Sequence, residues 1–410
     1  MESFNPFDPT VNDDPYPWYA RLRAEDPVHR SDVLDAYVLS RAADVSAAFR
    51  DPKVFSSAPR GGSPDGVRFL LGSDPPEHTA LRKILNRRFT PGAIRLLEPQ
   101  IEQITAQLTD ELLAGRSGDV ADYVRHVAYP LPVIVIARLM GIPDERRDDF
   151  KRWADAMVGG LNLDPAGAAR AFTEMRAYFL DVSGERRAHP GEDLISRLVT
   201  GSEPLAPDEL WGFCTLLLIG GTETTTNLIG NGLAALLADE GIQAALRSDP
   251  SLAPAYVEET LRHDAPVQAV WRLTREAVTV GDTTIPADER VLLLQGSANR
   301  DGAAHDDADS FVLDRPDREH LGFGVGIHFC LGSFLARMEA RIAVLTLLDR
   351  TAKLAPAGPG VRICPVTEAE EAARRDGRVR RRIATAVRPR VRRNPVVRGL
   401  RSLPVAMTVR

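Results

Sequence analysis

The residue types best suited to chemistry stand together in Phe323-Gly-Val-Gly-Ile-His-Phe-Cys-Leu-Gly332. Gly324 and Gly326 give the backbone the freedom to fold tightly around one sulfur, that of Cys330. Amides turned inward there can donate hydrogen bonds to a thiolate, and the positive end of a helix starting after Cys330 favours the same charge. Gly332 leaves room for something flat and bulky to approach the backbone. Two other readings use the same residues. One is a small apolar cysteine packed in a glycine-rich turn. The other is zinc held by His328 and Cys330, which needs four ligands although no second Cys/His pair stands nearby.

A second constellation is Gly220-Gly-Thr-Glu-Thr-Thr-Thr226, set inside a long apolar run. Two glycines followed by β-branched residues make a poor helix, so a local distortion is expected there. Glu223 and Thr224 place a carboxyl beside a hydroxyl, a pair able to pass protons. The plainer reading is a helix with polar residues turned towards its neighbours. Glu259-Thr-Leu-Arg262 puts an acid and a base on one helical face, and His78 and Arg82 share a face in the same way. Arg272 follows on a strand-like segment, and arginine suits carboxylates through paired donation.

The pattern Phe-Gly-x-Gly-x-His-x-Cys-x-Gly at 323–332 resembles the heme-binding loop of the cytochrome P-450 superfamily at every fixed position. Glu259 and Arg262, with Arg315 in Phe311-Val-Leu-Asp-Arg315, are similar to the charge cluster that supports this loop in the family. The resemblance implies heme b (iron protoporphyrin IX), with Cys330 as the axial thiolate and Phe323 packed beside the sulfur. It implies His78, Arg82, Arg272 and His328 at the propionates, and Gly220 and Gly221 as space for dioxygen. Glu223 becomes the acid of a proton relay and Thr224 the hydroxyl beside activated oxygen. The implied activity is monooxygenation of a small, largely apolar substrate, such as a secondary metabolite. Radical C–C or C–N coupling, ring formation, and a non-catalytic heme sensor or carrier are the alternatives.

The elements that must position these residues can be read around them. Apolar residues recur at helical spacing through 78–90, 93–114, 121–140 and 144–159, and most continuously through 207–239. A short helix near 17–25, a strand at 36–39, a period-two stretch from 270 to 294 and a helix over 331–348 complete the outline. This predicts a mainly α fold with a small β portion. The resemblance implies that it forms one domain over 1–410, with the heme between the long helix and the cysteine loop. With 410 residues, 44% of them hydrophobic, the chain can bury a large core. A net charge of −6 argues against nucleic acid as the main partner. The N-terminus lacks the pattern of a signal or membrane anchor, and Cys214, Cys330 and Cys364 do not form a disulfide framework. A cytoplasmic protein is expected.

The resemblance implies that substrate is bounded by the 56–72 loop, the 155–180 region, the long helix, residues 265–271 and the 400–405 turn. Val267, Gln268, Ala269 and Val270 predict a greasy pocket. The chain carries no fused flavin or iron–sulfur module, so a separate ferredoxin and ferredoxin reductase are the expected electron source. The stretch 367–393 reads as a charged insertion. Its basic part, from Arg374 through Arg382, is either solvated or a docking patch for an acidic partner.

Overall fold

The computed structural model describes residues 4–60, 70–146, 148–154, 156, 165–358, 361–362 and 396–410. The charged stretch 367–393, most of the 56–72 loop and 157–164 lie outside the described residues.

The organising element is the helix Pro207–Ala238. Pro207 opens it where a missing N–H costs nothing, Asp208 and Glu209 sit in its positive first turn, and the Glu209 carboxylate accepts from the Ala206 amide at 2.9 Å. From Thr225 to Leu233 every residue is buried, as expected for a helix enclosed on all sides. It packs against Pro130–Leu139, Pro165–Ala188, Ala253–His263 and Ser333–Arg350. No break interrupts it at Gly220–Thr226, contrary to the propensity-based expectation. Burial against four neighbours outweighs the weak local preference.

Outside this helical body lies a five-stranded sheet. Its order is Val28–Ser31, Ala36–Leu39, Arg290–Leu293, Val270–Thr274 and Phe55–Ser56. Arg272 stands opposite Val291 in it. The hairpin Val278–Val280/Thr283–Ile285 turns on Gly281, whose φ of 56° only glycine adopts cheaply. The helix expected over 121–140 is shorter than its apolar spacing suggested. Val120–Asp122 is a strand paired with Pro404–Val409, and the helical path begins only at Val124. Cross-chain pairing has overridden local periodicity. Tyr16 and Arg398, near opposite ends of the chain, meet at Asp264 with bonds of 2.7 and 2.8 Å.

The irregular stretch after Ala298 is held from one point. Glu259, 4% exposed, accepts from Arg262 at 2.7 and 2.8 Å, from Arg315 at 3.2 and 3.3 Å, and from the Val312 amide at 2.8 Å. Arg262 spends its remaining donors on the carbonyls of Asn299, Ala308 and Ser310. Arg315 adds those of Asp306 and Asp307. The Asn299 side chain then accepts the Leu321 amide at 2.6 Å, two residues before the cysteine loop.

Removing one member of a buried ion cluster strands the others. Glu259→Gln should lower unfolding stability by about 3–5 kcal/mol in denaturant titration. A loss below about 1 kcal/mol would show that the cluster does not hold the fold.

Candidate active site

Cys330 sits in a loop built by two left-handed glycines, Gly324 at φ 66° and Gly326 at φ 80°. A side chain at Gly326 would press within 2.6 Å of the Phe49 carbonyl, so only glycine lets the loop lie against that backbone. The Cys330 amide donates to the Phe323 carbonyl at 3.0 Å, closing the loop. Beyond Gly332, where an added Cβ would meet open space, the helix Ser333–Arg350 begins. Burial pushes the Cys330 thiol up, while the Gly332 amide and the charges of Arg82 and Arg337 pull the other way without prevailing. A thiolate in this loop therefore needs a cation at the sulfur itself. Among the described residues no group of three or more His, Cys, Asp or Glu side chains could hold a metal ion, which leaves the zinc reading without ligands.

Four basic side chains converge beside this loop from three elements. His78 and Arg82 come from the helix Glu77–Asn86, Arg272 from its strand and His328 from the loop. The rings of His78 and His328 lie 4.2 Å apart, both His78 nitrogens and Nε2 of His328 lack partners, and His78 is only 2% exposed. Burial and the neighbouring cations push His328 down to about 3. Burial likewise lowers Arg272 to about 10, although its guanidinium packs over Phe49 at 5.3 Å and donates to the Trp271 carbonyl at 2.8 Å. Arg82 donates to Asn86 at 2.8 Å and to the Phe329 carbonyl at 2.6 Å. Buried imidazoles without partners beside poorly compensated guanidinium groups are costly unless an anion is expected.

On the long helix, Gly220, Glu223 and Thr224 stand among its less buried residues. The Thr224 hydroxyl donates to the Gly220 carbonyl at 2.5 Å, the back-bonding that competes with a helix's own ladder. Gly220 is exposed, and a Cβ there would only graze Leu216. Gly221 is different, since its Cβ would fall 2.3 Å from Ile136 on the helix Pro130–Leu139. Close helix packing is therefore a reason for glycine at 221 that the sequence alone did not offer. Burial pushes the Glu223 carboxyl up to about 7. Val267 and Val270 are half-buried, whereas Gln268 turns inward to the Ala265 carbonyl and Ala269 is fully enclosed.

The comparisons with known proteins point one way. The family model for cytochrome P-450 matches residues 165–352. Cytochrome P-450 107B1 of Saccharopolyspora erythraea is 42% identical over 367 residues, covering 84% of this chain and 89% of that protein. The chain belongs to the cytochrome P-450 family. Cytochrome P-450 monooxygenase PikC of Streptomyces venezuelae is 41% identical, over 83% of this chain and 85% of its own length. Among solved structures, the bacillaene polyketide synthase cytochrome P-450 PksS of Bacillus subtilis superposes with a TM-score of 0.87 at 32% identity, covering 99% of this chain and 100% of that one. The protein is thus a heme-binding oxidoreductase of the monooxygenase class, in the mainly α fold with a small β portion expected from sequence. It depends on redox partners for electrons. Among the described residues no helix is long and apolar enough to cross a membrane.

The residues present fit heme b. The loop offers a sulfur that needs a cation, the four basic groups offer two carboxylates their partners, and Gly220 and Gly332 leave open surface. Sequence reasoning missed a second charged group here. Glu258, beside Glu259, holds Arg337 at 2.6 and 2.8 Å and His320 at 3.0 Å. It also missed Glu339, buried with one oxygen unpartnered and its carboxyl pushed up by burial to about 8.

Replacing Arg272 with Leu should speed heme transfer to a scavenging apoprotein by tenfold or more, about 1.4 kcal/mol. A rate equal to the parent's would remove Arg272 from the heme-binding set.

Proposed function

We propose that this cytochrome P-450 hydroxylates, or otherwise oxidises, a small and largely apolar organic molecule of secondary metabolism. The observation that carries the reading is the adjacency of Glu223, a carboxyl desolvated to about 7, and Thr224, whose hydroxyl lies one helical turn from exposed Gly220. When bound, heme b supplies an iron that takes up and reduces dioxygen and delivers one oxygen atom to carbon.

The chain's own groups then have separable tasks. Cys330 would supply the sulfur that holds the iron, with Phe323 packed beside it and Gly324 setting the turn. His78, Arg82, Arg272 and His328 would hold the propionates. Glu223, poised near neutrality, would gain protons from solvent and release them inward, the behaviour wanted of a general acid at that pH. Thr224, free to rotate away from the Gly220 carbonyl, would pass them on. Val267, Val270 and the apolar flank of the long helix would exclude water and accept a greasy substrate. A sensor or carrier has no use for the Glu223–Thr224 pair. The polyketide synthase named for one structural neighbour supports the secondary-metabolite part of the proposal.

A ferredoxin and its reductase are the proposed electron source. We read the whole chain as one catalytic domain, which the Tyr16–Asp264–Arg398 tie between its ends supports. A cytoplasmic location accords with Cys214 and Cys330 both being free thiols.

Glu223 supplies a test with a definite sign. Its carboxyl is protonated below about 7 and ionised above, so product formed per dioxygen consumed should fall as pH rises through 7. In Glu223→Gln the ratio should be low and flat with pH, and Thr224→Ala should uncouple at every pH. Coupling that is identical in parent and both variants would refute the relay. An optical titration of the ferric protein against cyclic dipeptides, macrolides, terpenes and steroids should show a high-spin shift with one apolar class. A response confined to charged, water-soluble ligands would overturn the substrate assignment.

A further inference from the structure

Glu258 and Arg337 form a partly buried pair on the cysteine side of the molecule, outside the set of residues that the heme reading uses. Arg337 lies on the helix leaving Cys330, and its side chain is 30% exposed against 20% for Glu258. Two bonds of 2.6 and 2.8 Å make the contact bidentate, and His320 adds a third to the same carboxylate at 3.0 Å. Burial opposes charge on Glu258, but the hydrogen bonds from Arg337 and His320 outweigh it and pull the carboxyl down to about 2. The pair is therefore fully ionised at any working pH.

The guanidinium does more than neutralise an acid. Its carbon stands 4.5 Å from the centre of the Phe323 ring, within the range of a cation over an aromatic face. The Phe323 carbonyl accepts the Cys330 amide, and the His320 ring lies 6.1 Å from Phe323 while its Nδ1 accepts the Gly322 amide at 3.0 Å. Arg82, also beside this loop, is committed to Asn86 and the Phe329 carbonyl.

We propose that Arg337, clamped by Glu258 against the ring of Phe323, is a positioning residue that sets the reduction potential of the thiolate-ligated heme. The proposal rests on Cys330 being the axial ligand. Reduction adds one electron and makes the iron–thiolate unit more negative, so a fixed cation nearby favours the reduced form. Glu258 has two opposed effects. It fixes the guanidinium in place, and its own charge partly offsets the benefit.

The test is a mediated redox titration of the heme-loaded protein and three variants, with each one's ferrous carbon monoxide spectrum recorded. Arg337→Gln should shift the ferric–ferrous equilibrium towards ferric severalfold, tenfold being about 59 mV for one electron. Glu258→Gln should shift it the other way, because the cation loses its counter-charge. Arg337→Lys should recover most of the parent value. A merely structural role predicts variants that lose heme or melt earlier, with the surviving heme protein at the parent potential, and that outcome overturns the proposal. Should Arg337→Gln fail to retain heme, Glu258→Gln decides alone, and an unmoved potential there counts against the proposal. A parent spectrum without thiolate ligation would remove the axial assignment and this inference with it. A normal parent spectrum with unmoved variants overturns the inference alone.

Discussion

One carboxylate fixes where the sulfur can be. Glu259 is buried, yet it gathers two guanidinium groups and a backbone amide, and those guanidinium groups reach five carbonyls of the irregular stretch after Ala298. That stretch has no ladder of its own, so few backbone donors stand near its carbonyls, and those of Asn299 and Ala308 are buried. The charge cluster replaces a missing piece of secondary structure. Asn299 carries the constraint on to Leu321, and the glycine-shaped turn begins two residues later. A buried ion cluster is a poor source of net stability but a good source of unique geometry, provided each member is satisfied. Here Arg262 is 1% exposed and each of its nitrogens has a partner.

The heme side follows the opposite rule. Where the scaffold satisfies every charge, the site leaves them wanting. His78 and His328 keep unpartnered nitrogens, Arg272 is depressed by burial, and the Cys330 thiol is raised. Each is unfavourable alone, and together they are complementary to one object, a flat group with a cation at its centre and carboxylates at its edge. Desolvation also explains why Glu223 and Glu339, neither of which forms an ion pair among the described residues, rise to about 7 and 8. The protein keeps neutral acids inside by giving them no cation.

Much of this was legible in the residues, and the parts that were not share a cause. The cysteine loop could be read because its glycines stand where positive φ is required, and the Glu259–Arg262 pair because three-residue spacing puts them on one face. The strand at Val120–Asp122 could not, since its partner Pro404–Val409 lies at the far end of the chain. The expected distortion of the long helix failed for a related reason: propensity is local, whereas burial against four helices is not. Gly221 shows the same limit at one residue. A side chain at its neighbour Gly220 would make only ordinary contact with Leu216, while one at Gly221 would collide with Ile136, and nothing in the sequence separates the two.

Glu258 and Glu259 make the division of labour concrete. As consecutive residues on the helix Ala253–His263 they point about 100° apart, so one faces the interior stretch and the other the cysteine loop. Glu259 acts on position, through a cluster closed to water. Glu258 holds Arg337, a cation still partly open to solvent and packed on the Phe323 ring. A charge that is half-exposed can be compensated by water or salt, which a sealed cluster cannot. The loop's geometry should therefore be indifferent to ionic conditions, while the field at its sulfur responds to whatever approaches that face, including a redox partner. If Cys330 ligates the iron as proposed, two adjacent carboxylates would separate where that ligand sits from how easily its iron is reduced.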